Sequence, residues 1–469
     1  MRDRQAIPAT ASPGKRLLKT KALARRPRWP GAVGIALVGV VLLLALLAAV
    51  APELLPRRPV FDDDTRKVAA AVIFAASYLG LAIGRIPGLS IDRAGVALVG
   101  ACLMVASGAL PLDEAYQAID LDTLTLLLGT MIVVASLRLS GFFAVATAAV
   151  MRRAGQPLFL LCVVTATSGL FSAFLVNDAI CLVLAPLVLD LTLRMGRNPT
   201  PYLLAVALAS NVGSTATITG NPQNIMIGSV SRIPYPAFAL TLGPVAAAGL
   251  VITAGLVALF HRGEFAGGGQ LLAVQPHIRV HRLLVARAVL AAAMLVAFFF
   301  AGQPPAKAAI IIGGLLLLTR RVKSERVYAE IDWSLLLMFA GLFIIIAGAQ
   351  RMLLTPDVVA AVGRLHLEQV PILSAVTAVL SNLVSNVPAV LLLKPFVAPL
   401  AHQDTAWLTI AMASTLAGNF SILGSIANLI VVQKAAERGV TISFWDYFRV
   451  GAPLTLLTLA IGTLWMMWR

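Results

Sequence analysis

The chain has 469 residues, of which 59% are hydrophobic and 12% are charged, and its mean hydropathy is +0.90. Soluble domains carry about a quarter charged residues, so this composition excludes a soluble enzyme and predicts an all-α polytopic membrane protein. The formal net charge of +16 arises from 37 lysines and arginines against 21 acidic residues. Basic residues collect in the cytoplasmic loops of membrane proteins. The excess of basic residues is therefore expected in a protein of the lipid bilayer, and we expect no nucleic acid partner.

The N-terminal region contains two predicted elements. Residues 1–32 hold nine basic residues and one acid, Asp3, without apolar periodicity, which predicts a disordered, basic cytoplasmic tail. An apolar run at 34–50 then predicts an anchor helix and a loop within residues 33–67. The run is longer than a typical signal-peptide core, although Ala49-Val50-Ala51 resembles a cleavage site, so removal of the helix is the alternative.

Further apolar segments long enough to cross a bilayer recur along the rest of the chain. They are 68–84, 94–110, 121–137, 201–227, 237–260, 284–301, 306–319, 333–350, 404–434 and 447–467. With the anchor they predict about 11 transmembrane helices. Two more apolar runs, 157–193 and 370–400, are too long for one crossing and are interrupted by polar residues. Each run predicts either two crossings or one re-entrant hairpin.

The distribution of charge predicts which loops face the cytoplasm. The linker 261–283 and the loop 320–332 carry clusters of basic residues, whereas the loop 111–120 has three acids and no basic residue. The positive-inside rule therefore places the linker, the loop 320–332 and the N-terminus inside, and the acidic loop outside. The number of crossings agrees with this assignment whether the two long runs are hairpins or pairs of spans.

Three blocks of residues recur later in the chain in the same order. Spacings of 212, 209 and 204 relate Ile119-Asp120 to Ile331-Asp332, Ser172 and Asn177 to Ser381 and Asn386, and Gly220 and Asn224 to Gly424 and Asn428. Chance similarity between apolar helices is the alternative, but polar and glycine positions match as well. Because the spans at 121 and 333 begin on opposite sides, the copies 68–260 and 284–469 are predicted to be inverted repeats, which are typical of secondary transporters.

Two segments at corresponding places in the copies, 211–224 and 414–428, are polar although apolar helix flanks them. A helix unwinds inside a bilayer only where protein or a water-filled cavity satisfies its backbone, and paired unwound helices indicate a substrate site. With the interruptions of the long runs, they supply the candidate substrate- and ion-binding residues: Asn177, Asp178, Gly213, Thr217, Gly220, Asn221, Asn224, Ser385, Asn386, Gly424 and Asn428. The alternative is that the small residues only permit close helix packing.

Asp178 is the ionisable candidate, because a carboxylate is costly at the bilayer centre unless it is used. It is predicted to bind a coupling cation or to carry a proton, with a Na⁺ site near Asn177, Asp178 and Asn386. A helix cap is the structural alternative for this aspartate. A second intramembrane acid, Asp190, is expected to pair with Arg194 one turn later.

The chain lacks the motifs of a membrane enzyme or an ATPase. Gly14-Lys15 is followed by arginine and does not match a phosphate loop, and no G-x-S-x-G or H-E-x-x-H motif is present. We therefore expect no catalytic residues and no cofactor, apart from a coupling Na⁺ or H⁺. An ion channel is a further alternative, but an inverted repeat with paired broken helices favours alternating access over an open pore.

Four segments resemble the ion transporter superfamily: 172–178, 220–224, 381–388 and 424–428. This grouping contains citrate-transporter-like permeases, divalent anion:sodium symporters and arsenite efflux permeases, and the resemblance covers roughly residues 68–467. It implies a scaffold domain and a transport domain, in which two re-entrant hairpins meet two unwound helices around the substrate and cation sites. The resemblance therefore favours hairpins at 157–193 and 370–400.

The hairpin tips differ from those of the sodium-coupled dicarboxylate members, which typically show Ser-Asn-Thr. Here the tips are Val176-Asn177-Asp178 and Ser385-Asn386-Val387, so the threonine that binds carboxylate in that group is missing twice. The Asn-Asp tip is more similar to the arsenite permeases. The resemblance thus implies a secondary active permease for a small anion, either an inorganic oxyanion or a carboxylate, that is coupled to an ion gradient.

A Na⁺/H⁺ antiporter of related architecture is the main alternative function. An intramembrane aspartate suits cation exchange, and no dedicated anion-binding arginine is visible in the sequence. We expect the protein to lie in the inner (cytoplasmic) membrane, and the sequence leaves open whether it forms a homodimer. Some arsenite permeases associate with a separate ATPase subunit, and the sequence leaves open whether this chain has such a partner.

Overall fold

The computed structural model describes residues 62–83, 91–151, 156–265, 281–318 and 322–469. The predicted tail and the apolar run of the anchor helix lie outside these ranges. Within them, the chain forms α-helices and short 3-10 helices and contains no strand, which confirms the predicted all-α fold. Seven of the described helices are long and apolar enough to cross a membrane.

The helices of the first half follow the predicted apolar segments. They are α1 (Asp63–Ile83), α2 (Arg93–Ala106), α3 (Leu112–Ala118), α4 (Leu121–Ser140), α5 (Phe142–Met151), α6 (Pro157–Phe174), α7 (Asn177–Arg194), α8 (Pro199–Ser214), α9 (Pro222–Ser231) and α10 (Tyr235–Phe260). A 3-10 turn, Ile218–Gly220, separates α8 from α9. The crossing predicted at 201–227 is therefore a broken helix, as its polar centre indicated.

The second half repeats this pattern. Its helices are α11 (Arg262–Phe265), α12 (Arg282–Phe300), α13 (Pro305–Leu317), α14 (Ser324–Tyr328), α15 (Trp333–Leu353), α16 (Pro356–Gly363), α17 (Val370–Val384), α18 (Asn386–Val397), α19 (Gln403–Ala417), α20 (Ile426–Ala436) and α21 (Phe444–Trp468). The 3-10 turn Ile422–Gly424 interrupts the crossing predicted at 404–434.

The repeated pair Ile-Asp marks the start of two equivalent helices. Asp120 accepts a hydrogen bond from the N–H of Thr123 at 3.1 Å where α4 begins, and Asp332 accepts one from the N–H of Leu335 at 3.0 Å where α15 begins. A carboxylate in this position satisfies one of the free N–H groups of the first turn. The sequence repeat thus corresponds to a repeated capping contact.

Helices α4 and α15 run in opposite directions. Arg138, near the end of α4, forms an ion pair with Glu330, which precedes α15. Arg351, near the end of α15, forms an ion pair with Glu114, which precedes α4. Each ion pair joins the C-terminal end of one helix to the N-terminal side of the other, as expected for the predicted inverted repeats.

Both long apolar runs form helical hairpins. Helices α6 and α7 lie side by side and join at Leu175-Val176, while α17 and α18 join at Ser385. Helix α18 has 12 residues, a length of about 18 Å at 1.5 Å per residue. The hydrocarbon core is about 30 Å thick, so α18 is too short to cross it, as expected for a re-entrant hairpin.

The two broken helices lie at the centre of the protein. Almost every side chain of α8 and of α19 is buried. The first hairpin packs on α8 through α6 and α7, and the second hairpin packs on α19. Because each tip lies beside the break of the helix that it packs against, the two tips and the two breaks are brought close together.

The predicted ion pair between Asp190 and Arg194 is wrong. Asp190 accepts a hydrogen bond from Arg438 at 2.9 Å instead. Asp190 lies on α7 and Arg438 follows α20, and these two helices pack against each other. A tertiary contact therefore replaces the local contact that helix spacing suggested.

Candidate functional site

A cavity of ≈ 40 Å³, which we call the tip cavity, lies where the two hairpin tips meet the starts of α9 and α20. Its polar lining consists of Arg93, Asn177, Asp178, Gln223, Ser385, Asn386 and Ser425. The structure therefore brings the four candidate residues of the tips together, although they are separated by about 209 positions in the chain. Their role in binding stays a prediction.

The second tip has an unusual backbone at Ser385. Its φ is 78° and its ψ is 158°, a combination that residues other than glycine rarely adopt. Strained backbone of this kind concentrates at functional sites. The next side chain is held in place, since Asn386 Oδ1 accepts a hydrogen bond from Ser381 Oγ at 2.6 Å. The second tip is thus held in a defined conformation.

Asn224 and Asn428 fasten the breaks of the two central helices and do not line the cavity. The side-chain nitrogens donate to carbonyl oxygens at equivalent positions: Asn224 to Ser214 at 3.1 Å and Thr217 at 3.0 Å, and Asn428 to Gly418 at 2.8 Å and Ser421 at 3.1 Å. Free carbonyl groups inside a membrane need such partners. Their predicted contact with substrate stays a prediction, but both have a structural role in the resting protein.

The candidate glycines permit close approach of backbone segments. A Cβ atom on Gly213 would lie 2.1 Å from the carbonyl oxygen of Gly169 on α6, and one on Gly220 would lie 2.1 Å from that of Ser214. In the second half, Gly424 makes the same approach to Gly418, at 2.7 Å. Any larger residue would therefore push these backbone segments apart. The packing alternative explains these three glycines.

Thr217 ties the first hairpin to the first broken helix. Its Oγ1 donates a hydrogen bond to the carbonyl oxygen of Ala173, near the end of α6. The residue is buried and does not line the cavity. It is therefore a positioning contact for the first tip, and its role in binding stays a prediction.

Asn211, on α8, connects the two halves of the protein. Its Oδ1 accepts hydrogen bonds from Asn177 Nδ2 at 2.9 Å and from Ser425 Oγ at 3.0 Å. Its Nδ2 donates to Asn419 Oδ1 at 2.9 Å and to Asn428 Oδ1 at 3.0 Å. Hydrogen bonds in such a buried network are strengthened by the low dielectric. Asn211 is not among the candidate residues that the sequence predicts, although the polar segment 211–224 begins there.

A reciprocal hydrogen bond runs from the first half to the second. Asn221 Nδ2 donates to Thr415 Oγ1 at 3.1 Å, and Asn221 Oδ1 caps α9 by accepting the N–H of Asn224 at 2.8 Å. The spacing of 204 relates Asn211 to Thr415 and Asn221 to Ser425. The two contacts between the halves are therefore equivalent under the repeat, and this relation is the sequence signal that could have identified Asn211.

The first tip carries an unsatisfied acceptor. Asn177 is 4% exposed, and among the described residues its Oδ1 has no hydrogen-bond partner. Buried polar atoms are nearly always paired, so an unpaired one requires an explanation. Asp178 adds a carboxylate at the same tip. Carbonyl and carboxylate oxygens suit a hard cation, a proton or the hydroxyl group of a ligand.

A second cavity of ≈ 110 Å³ begins behind Asp178. Asp178 lines both this space and the tip cavity. Asp332, Arg138 and Glu330 lie on its wall with apolar side chains. Asp178 is thus connected to the start of α15, on the side that the charge distribution predicts to be cytoplasmic.

Comparison with known proteins agrees with this geometry. A family model described as citrate transporter matches residues 78–417. The chain belongs to the citrate transporter family. This result confirms the resemblance to the ion transporter superfamily and identifies the chain as a multi-pass membrane transporter.

Individual relatives of this citrate transporter family member include transporters and membrane proteins. Silicon efflux transporter LSI3 of Oryza sativa subsp. japonica is 30% identical and aligns over 84% of this chain and 96% of its own length. Inner membrane protein YbiR of Escherichia coli (strain K12) is 30% identical over 74% of this chain and 87% of its own. The YdaH transporter of Alcanivorax borkumensis shares the fold, with a TM-score of 0.56 at 16% identity, covering 86% of this chain and 98% of its own.

A further space of ≈ 580 Å³, which we call the large cavity, adjoins the tip cavity. Arg93, the first residue of α2, lines both cavities. Arg93 is not recognisable from the sequence as an anion-binding arginine, because it precedes the apolar segment 94–110 by one position and resembles an ordinary flanking charge. Only the tertiary structure brings this residue to the hairpin tips.

Proposed function

We propose that the protein is a secondary active transporter of a small anion, working by alternating access with a Na⁺ or H⁺ gradient, and that it is not an enzyme. The observation that carries this proposal is the cavity between the two hairpin tips. Both inverted copies supply polar side chains to it, which is the arrangement that secondary transporters use near the bilayer midplane.

The size of the tip cavity favours an inorganic oxyanion over a carboxylate. Its volume of ≈ 40 Å³ is well below the roughly 300 Å³ at which pockets for larger organic ligands begin. The absence of Ser-Asn-Thr from both tips agrees with this preference. LSI3, named as a silicon efflux transporter, supports an inorganic substrate and export as the direction.

Asp178 supplies the coupling charge in this proposal. It follows Asn177 in the chain, and both residues line the tip cavity, where Asn177 Oδ1 has no partner among the described residues. A carboxylate in this position binds Na⁺ when ionised or carries H⁺ when neutral. Either ion reduces the cost of moving the tip through the low-dielectric interior.

A difference between the two copies supports alternating access. In the first copy, Ser229 on α9 donates a hydrogen bond to Asp120 at 2.9 Å. The equivalent residues of the second copy are Gln433 and Asp332. Gln433 is exposed, and Asp332 instead shares cavity walls with Leu429 and other residues nearer the start of α20. Helix α9 therefore has a different position relative to α4 than α20 has relative to α15.

The position of the large cavity indicates which side of the membrane the site faces. The large cavity lies at the end of α1 and at the starts of α2 and α15. The charge distribution predicts that these ends are cytoplasmic. The structure therefore corresponds, in this proposal, to a form with access from the cytoplasm, in the inner membrane; YbiR, named as an inner membrane protein, supports that location.

Transport by purified protein in proteoliposomes tests the proposal. Labelled phosphate, arsenate, arsenite, silicic acid, sulfate and citrate are each supplied with an imposed Na⁺ or H⁺ gradient. We expect gradient-dependent accumulation of an inorganic substrate, with saturation and counterflow. Dissipation of the gradient without saturation or counterflow would instead establish a channel.

A Na⁺/H⁺ antiporter is the second candidate, favoured by the placement of Asp178 and Asp332 on one cavity. It predicts Na⁺-dependent proton movement in the same proteoliposomes without any anion. A fluorescent pH indicator inside the vesicles distinguishes the two functions. Association with a second copy or with an ATPase subunit stays a separate prediction, testable by mass measurement of the detergent-solubilised protein.

A further inference from the structure

Arg93 is the basic side chain that lines both the tip cavity and the large cavity. It begins α2, where the neighbouring Asp92 serves as the helix cap by accepting the N–H of Gly95 at 2.9 Å. The side chain of Arg93 is half-buried. A guanidinium therefore lies at the passage between the open space and the site between the tips.

The charge of Arg93 is not neutralised within the described part of the chain. None of the ion pairs there includes it. The cavities that it lines also contain Asp92, Asp178 and Asp332, yet none of these carboxylates comes within 4 Å of it. A partly buried cation without a counter-charge is costly, and a bound anion would remove that cost.

The lining of the tip cavity restricts the kind of anion. Arginine binds two oxygens of an oxyanion at once through its planar fork. Asn177 lines the same cavity. Its buried Oδ1 has no donor among the described residues, and it can accept only from a group that carries a proton, such as a hydroxyl. Asp178 lies beside it and disfavours a multiply charged anion by repulsion.

We infer that Arg93 is a specificity-determining residue that holds the charged oxygens of the substrate, and that the substrate class is a singly charged oxyacid that keeps a hydroxyl group. Asn177 Oδ1 accepts the hydroxyl proton in a hydrogen bond. This inference rests on the proposed function and narrows it from small anions to partly protonated inorganic oxyacids.

Arg93 also belongs to a different part of the protein from the tips. Helix α2 packs against α1 and α15, whereas the tips pack on α8 and α19. An anion bound between Arg93 and the tips therefore bridges the two groups of helices. Arg93 selects the substrate on the side to which the large cavity belongs.

The test uses Arg93→Gln, Arg93→Lys and a control, Arg326→Gln, whose side chain is exposed and lines neither cavity. Uptake of labelled phosphate and arsenate, and of neutral arsenite, is measured in proteoliposomes over a range of concentrations. We expect Arg93→Gln to raise the KM for the anions about tenfold or more, since a charged hydrogen bond is lost. The expected kcat changes little, and Arg93→Lys recovers part of the loss. Any uptake of arsenite by Arg93→Gln, and the uptake of the anions by Arg326→Gln, should stay within about twofold of wild type.

Binding is measured separately on the detergent-solubilised protein. We expect dihydrogen phosphate or arsenate to raise its thermal unfolding temperature at constant ionic strength, and Arg93→Gln to abolish this rise while unfolding normally without the anion. An unchanged KM for the anions, or equal loss of arsenite and anion uptake, overturns the role of Arg93. If wild type is stabilised by the anions but accumulates none of them, the proposed transport fails while the Arg93 site stands. If neither anion stabilises wild type, the inference is wrong.

Discussion

Arg138 and Glu330 form an ion pair although 192 positions separate them in the chain. The pair joins the end of α4 to the start of α15, and Arg351 with Glu114 joins the same two helices at their other ends. The two helices are thus connected at both ends. The two contacts together hold α4 and α15 antiparallel, as the inverted repeat requires.

The hydrogen bonds of Asn211 predict a large loss of stability in Asn211→Ala. The substitution removes the partner of four buried polar side chains, and each unsatisfied group costs about 1–3 kcal/mol. We expect a lower thermal unfolding temperature and loss of transport. Asn198→Ala is the matched control, because it removes one exposed capping contact. Equal unfolding temperatures for the two variants would contradict the central role of Asn211.

The position of Asp178 predicts loss of coupling in Asp178→Asn. Asparagine keeps the shape and most of the hydrogen bonding, but it neither carries the charge nor titrates. Accumulation driven by a gradient should disappear, together with its dependence on Na⁺ or pH, while exchange of substrate across the membrane persists. Asp190→Asn, which removes an exposed ion pair with Arg438, should accumulate substrate normally. Normal accumulation by Asp178→Asn at equal protein levels would contradict the coupling role and leave Asp178 a structural role only.

The unequal contacts of Asp120 and Asp332 predict two mutually exclusive cross-links. In a background without native cysteines, Asp120→Cys with Ser229→Cys should oxidise readily, because the native side chains are in contact at 2.9 Å. Asp332→Cys with Gln433→Cys should form a disulfide only in the opposite form, during turnover with substrate. Each cross-link should arrest transport, and a reducing agent should restore it. If both disulfides form in the same molecule, or if turnover continues with either, the copies do not exchange positions.

The charge distribution predicts the sidedness of two loops. An alkaline phosphatase reporter is active only outside the cytoplasm, so a fusion at residue 115 should be active and a fusion at residue 325 inactive. The loop 111–120 and the loop 320–332 precede equivalent helices, which makes the pair a matched comparison. The same activity in both fusions would contradict the inverted arrangement.

The hairpin tips could be predicted from the sequence because polar residues are rare in long apolar runs. Asn177 and Asn386 interrupt such runs at equivalent places, and the structure brings both to one cavity. The breaks of the central helices were predictable for the same reason. Local polarity therefore identified the elements that meet at the site.

Other features depended on contacts that local sequence does not determine. Arg93 lies at the edge of a span, where basic residues are common, and only packing of α2 brings it to the tips. Asn224 and Asn428 share the polarity of the site residues, but their side chains satisfy carbonyl groups of the breaks. Asp190 has a basic neighbour one turn away and still pairs with Arg438, because α7 packs against α20.

The reciprocal hydrogen bonds between the halves bear on how the protein is made. Asn211 bonds to Ser425, and Asn221 bonds to Thr415, so each half supplies partners that the other lacks. A chain is synthesised from its N-terminus, and the first half enters the bilayer while residues 415–428 have not yet emerged from the ribosome. Until they do, the buried amides of Asn211 and Asn221 lack these partners, and the assembly of the centre is among the last steps of biogenesis.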